Sequence, residues 1–384
     1  MISLTRLLYD DATPGDMLRY HRPFADRKPV VVWNCTRRCN LKCVHCYSQS
    51  CNEHYEGELT NAEAKEMIRG LAAFKAPVLL FSGGEPFMRD DLFELGAYAR
   101  ELGIRPVIST NGTMITKSVA ARVKETGFSY VGVSLDGVGE TNDTFRGVKG
   151  AFSAALKGIE NCLSIGQKVG LRLTMTRGNV QDLGEIYDLI EEVGIPRACF
   201  YHLVYTGRGA DIVADDLSIQ EKRAAVDLII DRFADMHDRG IEKDILTVDN
   251  HCDGPYIYMR LLREDPERAK RALELLTING GNSTGVAIGC IDNLGNVHPD
   301  QFWRSHTLGN VRERPFSQIW TDTSDPIMAG LKDRKRLLKG RCAQTNCRWI
   351  DVCNGNFRAR AVAVYEDPWM QDPGCYLTDE EIRR

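Results

Sequence analysis

The sequence predicts an α/β protein, built as an open, partial (β/α)6 TIM-like barrel that is followed by a smaller cysteine-rich module. Between about residues 29 and 240, short apolar runs alternate with amphipathic helical stretches. Apolar strands separated by helices are typical of a parallel sheet that helices cover on its outer face. Beyond residue 240 the alternation stops, and a Gly- and Asn-rich stretch leads into a tail dense in cysteine. We therefore predict an N-terminal extension (1–28), the barrel (29–240) and a C-terminal module (241–384).

Six apolar runs are the predicted strands of the barrel. The helices between them have local signals. Thr60 followed by Glu63 is a capping-box pattern, and Gly127 and Gly194 stand where the helices after the third and fifth strands should end. In such folds reactive groups collect in the loops at the carboxyl ends of the strands. The predicted strands are, in order, 29–34, 76–82, 105–110, 129–135, 168–175 and 198–204.

Composition and charge argue against several classes of protein. With 384 residues, 43% of them hydrophobic, the chain can bury one large core and a smaller module. A formal net charge of -4 gives no basic field for nucleic acid. No apolar run approaches the roughly 18 residues that cross a bilayer, so no membrane is expected. We expect a cytoplasmic protein in which some of the 13 cysteines bind metal, because disulfides seldom persist in that compartment.

The stretch CNLKCVHC places Cys39, Cys43 and Cys46 directly after the first predicted strand. A structural zinc site normally has four protein ligands, whereas three thiolates on a cubane 4Fe-4S cluster leave one iron open to an external ligand. The spacing therefore favours the cluster. A zinc site completed by His45 or Cys51, and core cysteines that are merely adjacent, remain alternatives at this point.

The stretch SGGEP, Ser82 to Pro86, ends the second predicted strand. Paired glycines let a ligand approach the backbone closely, and Glu85 can pair with an ammonium group. Together with the three-thiol loop, this strand end resembles the radical S-adenosylmethionine (radical SAM) superfamily. The resemblance implies that the open iron chelates S-adenosylmethionine and that one electron from the reduced cluster cleaves it. The resulting 5'-deoxyadenosyl radical would abstract a hydrogen atom from the substrate.

The same resemblance implies roles for individual residues. Cys39, Cys43 and Cys46 would hold the cluster. Later strand ends carry STNG, SLDG and RLTMTRGNV, although Asn-Gly and Asp-Gly are also ordinary turn dipeptides. The expected contacts with S-adenosylmethionine are His45, Tyr47, Ser82, Gly83, Gly84, Glu85, Ser109, Asn111, Ser134, Asp136, Arg172 and Arg177.

Four cysteines in the tail can saturate a second 4Fe-4S cluster, with a four-thiolate zinc ribbon as the alternative. The tail resembles the SPASM/twitch extension of radical SAM enzymes, whose two-cluster form uses seven cysteines. Arg314 and Phe357 stand where two of the seven would be, and both missing thiols belong to one cluster. The resemblance therefore implies a single auxiliary cluster, although its first two cysteines are four residues apart instead of two. Its ligands would be Cys342, Cys347, Cys353 and Cys375.

Cys290 occupies the first position of the seven-cysteine pattern, without the thiols that would complete its cluster. A buried structural thiol is the favoured interpretation. A catalytic role as a hydrogen-atom donor, or as an additional ligand, stays open. The cysteines without metal-ligand spacing, to which no role is assigned, are Cys35, Cys51, Cys162, Cys199 and Cys252.

Stretches over nearly the whole chain, among them GNVHPDQFW and DVCNGNFRARA, resemble enzymes that remodel side chains of siroheme-derived tetrapyrroles. This implies removal of acetates from 12,18-didecarboxysiroheme to give Fe-coproporphyrin III, with propionate removal in heme d1 biosynthesis as the alternative. A low-potential donor such as ferredoxin or flavodoxin would supply electrons. An iron porphyrinoid with several carboxylates favours arginines and a histidine at the iron, for which His298 is the first choice. The candidate substrate residues are His298, His251, Arg304, Arg208 and Arg358, with His202, His306 and Arg360 as further candidates.

Two other classes of function stay open. A peptide-modifying radical SAM enzyme often has an additional N-terminal peptide-binding domain, and the roughly 28 residues before the first strand are too few for one. A non-catalytic iron-sulfur or zinc scaffold would give the SGGEP strand end no purpose. Consumption of S-adenosylmethionine separates the scaffold from the enzymes.

Overall fold

In the computed structural model, which describes residues 1–21 and 27–383, eleven strands form one mixed sheet. Six of them coincide with the six predicted strands, which confirms the α/β fold class. The strands are β1 (Ile2–Ser3), β2 (Val30–Thr36), β3 (Val78–Gly83), β4 (Arg105–Thr110), β5 (Val131–Ser134), β6 (Val169–Met175), β7 (Arg197–His202), β8 (Asp244–Val248), β9 (Ile288–Ile291), β10 (Asn296–His298) and β11 (Gly309–Asn310).

The sheet is open, with the strand order β1-β8-β7-β6-β5-β4-β3-β2-β9-β10-β11. Strands β2 to β8 follow one another in parallel, so the alternation of strand and helix continues one step beyond residue 240. Strand β8 was not predicted, because it begins at Asp244, beyond the last predicted strand and helix. Parallel strands put all their carboxyl ends at one edge, which is where the loops predicted to hold reactive groups meet.

The segments before and after the barrel each add strands to an edge of this parallel sheet. In the N-terminal extension, β1 pairs antiparallel with β8, with Ile2 opposite Thr247. From the C-terminal module, β9 pairs in parallel with β2 at the other edge, with Cys290 opposite Val32. Strands β10 and β11 extend that edge as an antiparallel ribbon. All three predicted segments of the chain therefore contribute strands to one continuous sheet.

The helices begin and end largely at the predicted signals. Thr60 and Glu63 form both hydrogen bonds of a capping box, and Gly127 ends its helix in the left-handed region with φ of 87°. The helices are α1 (Leu4–Tyr9), α2 (Asp16–Arg19), α3 (Asn61–Ala73), α4 (Leu92–Glu101), α5 (Lys117–Thr126), α6 (Glu140–Arg146), α7 (Ala151–Ser164), α8 (Leu183–Glu192), α9 (Ile219–Asp238), α10 (Asp253–Glu264), α11 (Pro266–Asn279), α12 (Phe316–Thr321), α13 (Pro326–Lys332), α14 (Gly340–Gln344), α15 (Ile350–Cys353), α16 (Arg358–Tyr365) and α17 (Asp379–Ile382).

Alternate side chains of the parallel strands point to the two faces of the sheet. Val31 and Leu79 belong to the main core beneath the helices, whereas their neighbours Val30, Val32 and Leu80 line a cavity inside the barrel. The strands are therefore apolar on both faces, which explains the almost continuous apolar runs in the sequence. Among the described residues, no helix is both long enough and apolar enough to span a membrane.

Candidate functional site

The cavity inside the open barrel has a volume of about 780 Å³. Its wall is mostly apolar along the strands and becomes polar at their carboxyl ends, where hydroxyl, carboxylate, guanidinium and imidazole groups meet. The C-terminal module covers it with the segment from Asn279 to Phe302 and with Phe357. A concave, mostly apolar site with a few convergent polar groups is typical of small-molecule binding.

The three predicted cluster cysteines lie together in the loop after β2. Cys39 and Cys43 are buried together with Leu41 and Ala151, and the partly buried Cys46 packs against them. The three sulfurs also accept hydrogen bonds from N–H groups. The donors are the amide of Leu41 to Cys39 (3.4 Å), Nη1 of Arg146 to Cys43 (3.6 Å) and the amide of Ser50 to Cys46 (3.5 Å). Because N–H donors stabilise thiolates, this loop fits an iron-sulfur cluster.

Hydrogen bonds from two other loops to backbone carbonyls hold the cysteine loop in place. The amide of Gly84 donates to the carbonyl of Thr36 (2.7 Å), and that of Glu85 donates to the carbonyl of Arg38 (2.9 Å). Arg208 approaches from the loop after β7, and its Nε donates to the carbonyl of Cys43 (2.7 Å). The structure thus brings Arg208, predicted for the substrate, to the cysteine loop.

Replacing Gly84 by alanine is expected to destabilise the protein by about 1–3 kcal/mol, because the added methyl group overlaps the carbonyl of Arg38. The matched control is Gly70→Ala in α3, where nothing lies within 4 Å of the new methyl group. That change should be neutral or stabilise by up to about 1 kcal/mol. Anaerobic chemical denaturation and iron analysis of both variants measure the difference. Equal stability of the two variants would contradict the tight packing described.

Glu85 is fully buried, and its own chain occupies its carboxylate. Its oxygens accept hydrogen bonds from the hydroxyl of Thr110 (2.7 Å) and from the amides of Asn111 (2.8 Å) and Phe87 (3.2 Å). Burial raises the pKa of this carboxyl group to about 7, against the lowering effect of those hydrogen bonds. Glu85 therefore joins the end of β3 to the end of β4, and its side chain does not line the cavity.

The pKa of Glu85 makes stability depend on pH. Because the folded pKa, about 7, lies above the unfolded value of 4.5, the folded state binds the proton more tightly. The stabilisation that this proton gives the folded state is fully present below about pH 4.5 and is lost as the pH rises through 7. Between pH 5.5 and 8, wild type should lose on the order of 2 kcal/mol more unfolding free energy than Glu85→Gln. Urea denaturation of both proteins at the two pH values measures this, and equal losses would contradict it.

Tyr47 and Ser82 line the cavity and begin a hydrogen-bonded chain that ends at Cys290. The hydroxyl of Tyr47 lies 3.2 Å from that of Ser82 and donates to Oδ1 of Asn34 (2.9 Å). Nδ2 of Asn34 donates to the sulfur of Cys290 at 3.5 Å. Cys290 itself is fully buried, and burial raises the pKa of its thiol. These contacts fit the interpretation of Cys290 as a buried structural thiol.

Asp136 lies in the cavity wall and is paired with Arg146, at the end of α6. Asp136 also accepts from the amide of Thr174 (2.6 Å), and Nε2 of His45 lies 3.8 Å from it. Burial lowers the pKa of His45 to about 4, so its ring is neutral at pH 7. Sequence reasoning missed Arg146, which is a lone arginine outside any motif.

Three further predicted contacts line the cavity, whereas Gly83, Gly84, Asn111 and Arg177 do not. Ser109, Ser134 and Arg172 do, and Nη1 of Arg172 donates to the hydroxyl of Ser109 at 2.6 Å. Asn111 instead faces the cysteine loop, with Nδ2 3.8 Å from the sulfur of Cys39. Arg177 is half-exposed and pairs with Glu221 at 3.0 Å.

Of the predicted substrate residues, His251 and His202 line the cavity. His298 is buried, and both its ring nitrogens are occupied, by the carbonyl of His306 (2.8 Å) and by Asp292 (3.2 Å). Arg304 lies 4.0 Å from the same Asp292.

Arg358 is fully buried in the C-terminal module and does not line the cavity. Its guanidinium donates to the carbonyls of Pro368 and Met370, both at 2.7 Å, and to that of Gly355. This arginine therefore stabilises the fold of the tail around the predicted auxiliary site.

The tail brings a fifth thiol close to the four predicted ligands. Cys252, at the start of α10, lies beside Cys375 and accepts a hydrogen bond from Nδ2 of Asn356 (3.2 Å). Sequence spacing could not find Cys252, because it lies 90 residues before Cys342. Within the described ranges, no three or more Cys, His, Asp or Glu side chains are placed so that they could hold a metal ion.

His202, a substrate candidate from the sequence, lines the cavity at the end of β7. Tyr201 beside it and Asp249 after β8 also line the cavity and were not predicted. Burial raises the pKa of Asp249 to about 7, and its Oδ2 has no hydrogen-bond partner. Each is a single polar residue at the end of an apolar strand, and only the parallel register brings them together.

Comparison with known proteins identifies relatives along the whole chain. The sequence model of the radical SAM superfamily matches residues 33–190. Fe-coproporphyrin III synthase of Methanosarcina barkeri is 59% identical, over 100% of this chain and 99% of that protein. Pre-heme d1 synthase of Dinoroseobacter shibae is 46% identical, over 92% and 87%.

Solved structures share the fold at low sequence identity. SuiB of Streptococcus suis, bound to precursor peptide SuiA, has a TM-score of 0.71 at 18% identity, over 91% of this chain and 76% of that one. Native anSMEcpe with bound AdoMet has a TM-score of 0.68 at 18% identity, over 90% and 93%. At such identity the likeness concerns the fold alone.

Proposed function

This chain belongs to the radical SAM superfamily, and from that membership we propose that it cleaves the acetate side chains from 12,18-didecarboxysiroheme to give Fe-coproporphyrin III. The resemblance inferred from the cysteine loop and the SGGEP strand end is thereby confirmed. The chain is a radical SAM enzyme whose relatives include an Fe-coproporphyrin III synthase, a pre-heme d1 synthase and AdoMet-dependent heme synthases. The observation that carries the proposal is the 59% identity over the whole chain to the first of these.

Membership of the superfamily implies a 4Fe-4S cluster and S-adenosylmethionine. Cys39, Cys43 and Cys46 would hold the cluster, since their sulfurs lie together and accept N–H hydrogen bonds. When bound, these groups supply a 5'-deoxyadenosyl radical. The hydroxyls of Tyr47 and Ser82 line the adjacent wall and would bind polar groups of S-adenosylmethionine.

The half of the cavity formed by β6, β7, β8 and the C-terminal module has properties that suit an iron tetrapyrrole. The rings of Phe302 and Phe357, 5.5 Å apart, offer apolar area for a macrocycle. Arg172 lines this part of the cavity and offers a guanidinium for a carboxylate side chain. Enclosure by the C-terminal module would exclude water from the radical.

An auxiliary 4Fe-4S cluster in the tail is part of the proposal, with Cys342, Cys347, Cys353 and Cys375 as ligands. Cys347 and Cys353 are buried, and Nη1 of Arg341 lies 3.8 Å from the sulfur of Cys375. Four thiolates would saturate the irons, which suits electron transfer from a low-potential donor such as ferredoxin or flavodoxin.

The double variant Cys347→Ala with Cys353→Ala should lose about half of the bound iron, roughly four of eight atoms, because two thiolates are too few to hold the auxiliary cluster. Iron and sulfide analysis with electron paramagnetic resonance (EPR) of anaerobically reconstituted protein measures this. The matched control is Cys162→Ala in α7, a buried cysteine outside both sites. Full iron content in the double variant, or zinc at these thiols in the purified wild type, would contradict an auxiliary iron-sulfur cluster.

The proposed activity is tested by anaerobic incubation of the reconstituted enzyme with reductant, S-adenosylmethionine and 12,18-didecarboxysiroheme. Mass analysis of the tetrapyrrole should show the loss of two acetates. An unchanged macrocycle, despite formation of 5'-deoxyadenosine, would contradict the proposed substrate.

A second candidate is removal of propionates on the way to heme d1. It is favoured by 46% identity to the pre-heme d1 synthase of Dinoroseobacter shibae. The same mass analysis separates the two activities, because loss of propionates gives a different product.

A further inference from the structure

His202 is a buried histidine whose ring lines the cavity at the carboxyl end of β7. Its Nε2 lies 3.1 Å from Oδ2 of Asp253. The other ring nitrogen, Nδ1, makes no hydrogen bond within the described part of the chain. One nitrogen of this ring is thus held by a carboxylate, and the other is left for a ligand.

Asp253 is itself fixed in place. It is fully buried at the start of α10, and its Oδ1 accepts a hydrogen bond from the hydroxyl of Tyr376 at 2.7 Å. The ring of Tyr376 stacks against that of His202, with an interplanar angle of 22°. A carboxylate that accepts from Nε2–H keeps the proton on that nitrogen and leaves a lone pair on Nδ1. Histidines that bind metals typically donate their second nitrogen to a carboxylate in this way.

The position of His202 suits the substrate half of the cavity. His202 ends β7, and the loop that follows this strand reaches the cysteine loop, where Nε of Arg208 donates to the carbonyl of Cys43 at 2.7 Å. His202 lines the same cavity as Arg172, Phe302 and Phe357. A macrocycle packed against these groups would therefore have His202 at the carboxyl end of β7.

Other histidines are less suited to binding an iron atom. Both nitrogens of His298 are occupied, and His306 pairs with Asp325 at 3.0 Å, away from the cavity. His251 lines the cavity, but its Nε2 faces the amino group of Met1 at 3.1 Å and no carboxylate orients its ring.

We propose that Nδ1 of His202, with its ring oriented by Asp253, binds the iron of the tetrapyrrole. This inference rests on the proposed function and corrects the expectation of His298 for that role. His202 binds the substrate through its metal, and Asp253 is a positioning residue. Such a bond would fix the height of the macrocycle in the cavity.

The experiment uses the reconstituted holoenzyme, with its clusters oxidised, and Fe(III)-coproporphyrin III as the probe under anaerobic conditions. EPR and nitrogen hyperfine spectra of protein carrying 15N-labelled histidine should show a histidine nitrogen on the heme iron. His202→Ala should lose that signal and weaken binding of the iron form by about 10-fold or more. Metal-free coproporphyrin III should bind to both proteins within about two-fold. Binding of the metal-free porphyrin by His202→Ala shows that the variant is folded and that only the contact with the iron is lost.

Two variants complete the test. Asp253→Asn should keep the nitrogen ligand but weaken the affinity for the iron form by about 10-fold. His251→Ala should keep the wild-type spectrum. A labelled-histidine signal that persists in His202→Ala, or that disappears in His251→Ala instead, would overturn the assignment.

The outcomes also separate this inference from the proposed function. If wild type binds the iron form without a histidine nitrogen, His202 has been misassigned, and the acetate-loss assay still decides the activity. If neither the iron form nor the metal-free form binds, the assignment of His202 and the tetrapyrrole substrate are both wrong.

Discussion

Replacing Cys43 by alanine is expected to abolish cleavage of S-adenosylmethionine, lowering the formation of 5'-deoxyadenosine by at least about 1,000-fold, or roughly 4 kcal/mol of barrier. Cys43 is buried between Cys39 and Cys46 in one cluster, and the guanidinium of Arg146 donates to its sulfur. Two thiols cannot replace three, so the loop would lose its iron. Chromatography of the nucleoside products, with iron and sulfide analysis, measures both effects.

The matched control is Cys51→Ser in the same loop. The sulfur of Cys51 lies 2.9 Å from the hydroxyl of Tyr55, and only its backbone carbonyl contacts the cluster cysteines, accepting from the amide of Cys39 at 2.9 Å. A serine keeps both contacts, so iron content and cleavage should equal those of wild type. Loss of metal in Cys51→Ser would instead favour a four-ligand site, and zinc in the wild-type protein would contradict the cluster.

The strands of the barrel could be predicted because each is apolar on both faces. The helices cover one face and the cavity lies on the other, so Val30 to Val32 form an unbroken apolar run. Strand β8 was missed because it is a single short run, preceded by the long helix α9 and followed by polar residues. Parallel pairing with β7, with Cys199 opposite Leu246, fixes its place in the sheet. No local sequence pattern contains that pairing.

The cysteine loop could be predicted from its spacing, since all three thiols lie within eight residues. Arg146 could not, because it lies 103 residues from Cys43. His202 was a candidate because of its residue type and its place at a strand end, but its partner Asp253 lies 51 residues away and belongs to no motif. Sites assembled from distant single residues leave no signal in a sequence considered alone.

Two residues were assigned to ligands because of their chemical type, but the fold occupies their polar atoms. The carboxylate of Glu85 accepts hydrogen bonds from its own chain, and His298 uses both ring nitrogens for Asp292 and His306. Which polar atoms stay free for a ligand depends on which buried groups of the folded chain require hydrogen-bond partners. That requirement is strong, because an unpaired buried donor costs about 1–3 kcal/mol.

Replacing Arg146 by leucine is expected to lower the free energy of unfolding by about 3–5 kcal/mol, because Asp136 would be left buried without its cation. The side chains of Arg146 and Asp136 are only 7% and 1% exposed. The substitution also removes the donor to the sulfur of Cys43, so bound iron should fall as well. Anaerobic chemical denaturation with iron analysis measures the two effects.

Two comparisons make this prediction specific to the buried pair. Arg177→Leu breaks a half-exposed pair with Glu221 and should cost less than about 1 kcal/mol. The double variant Arg146→Leu with Asp136→Asn removes both charges, so it should recover much of the stability lost in the single variant. If the double variant were less stable than Arg146→Leu alone, the loss would come from packing or from the missing contact with Cys43, and the ion pair would not be its cause.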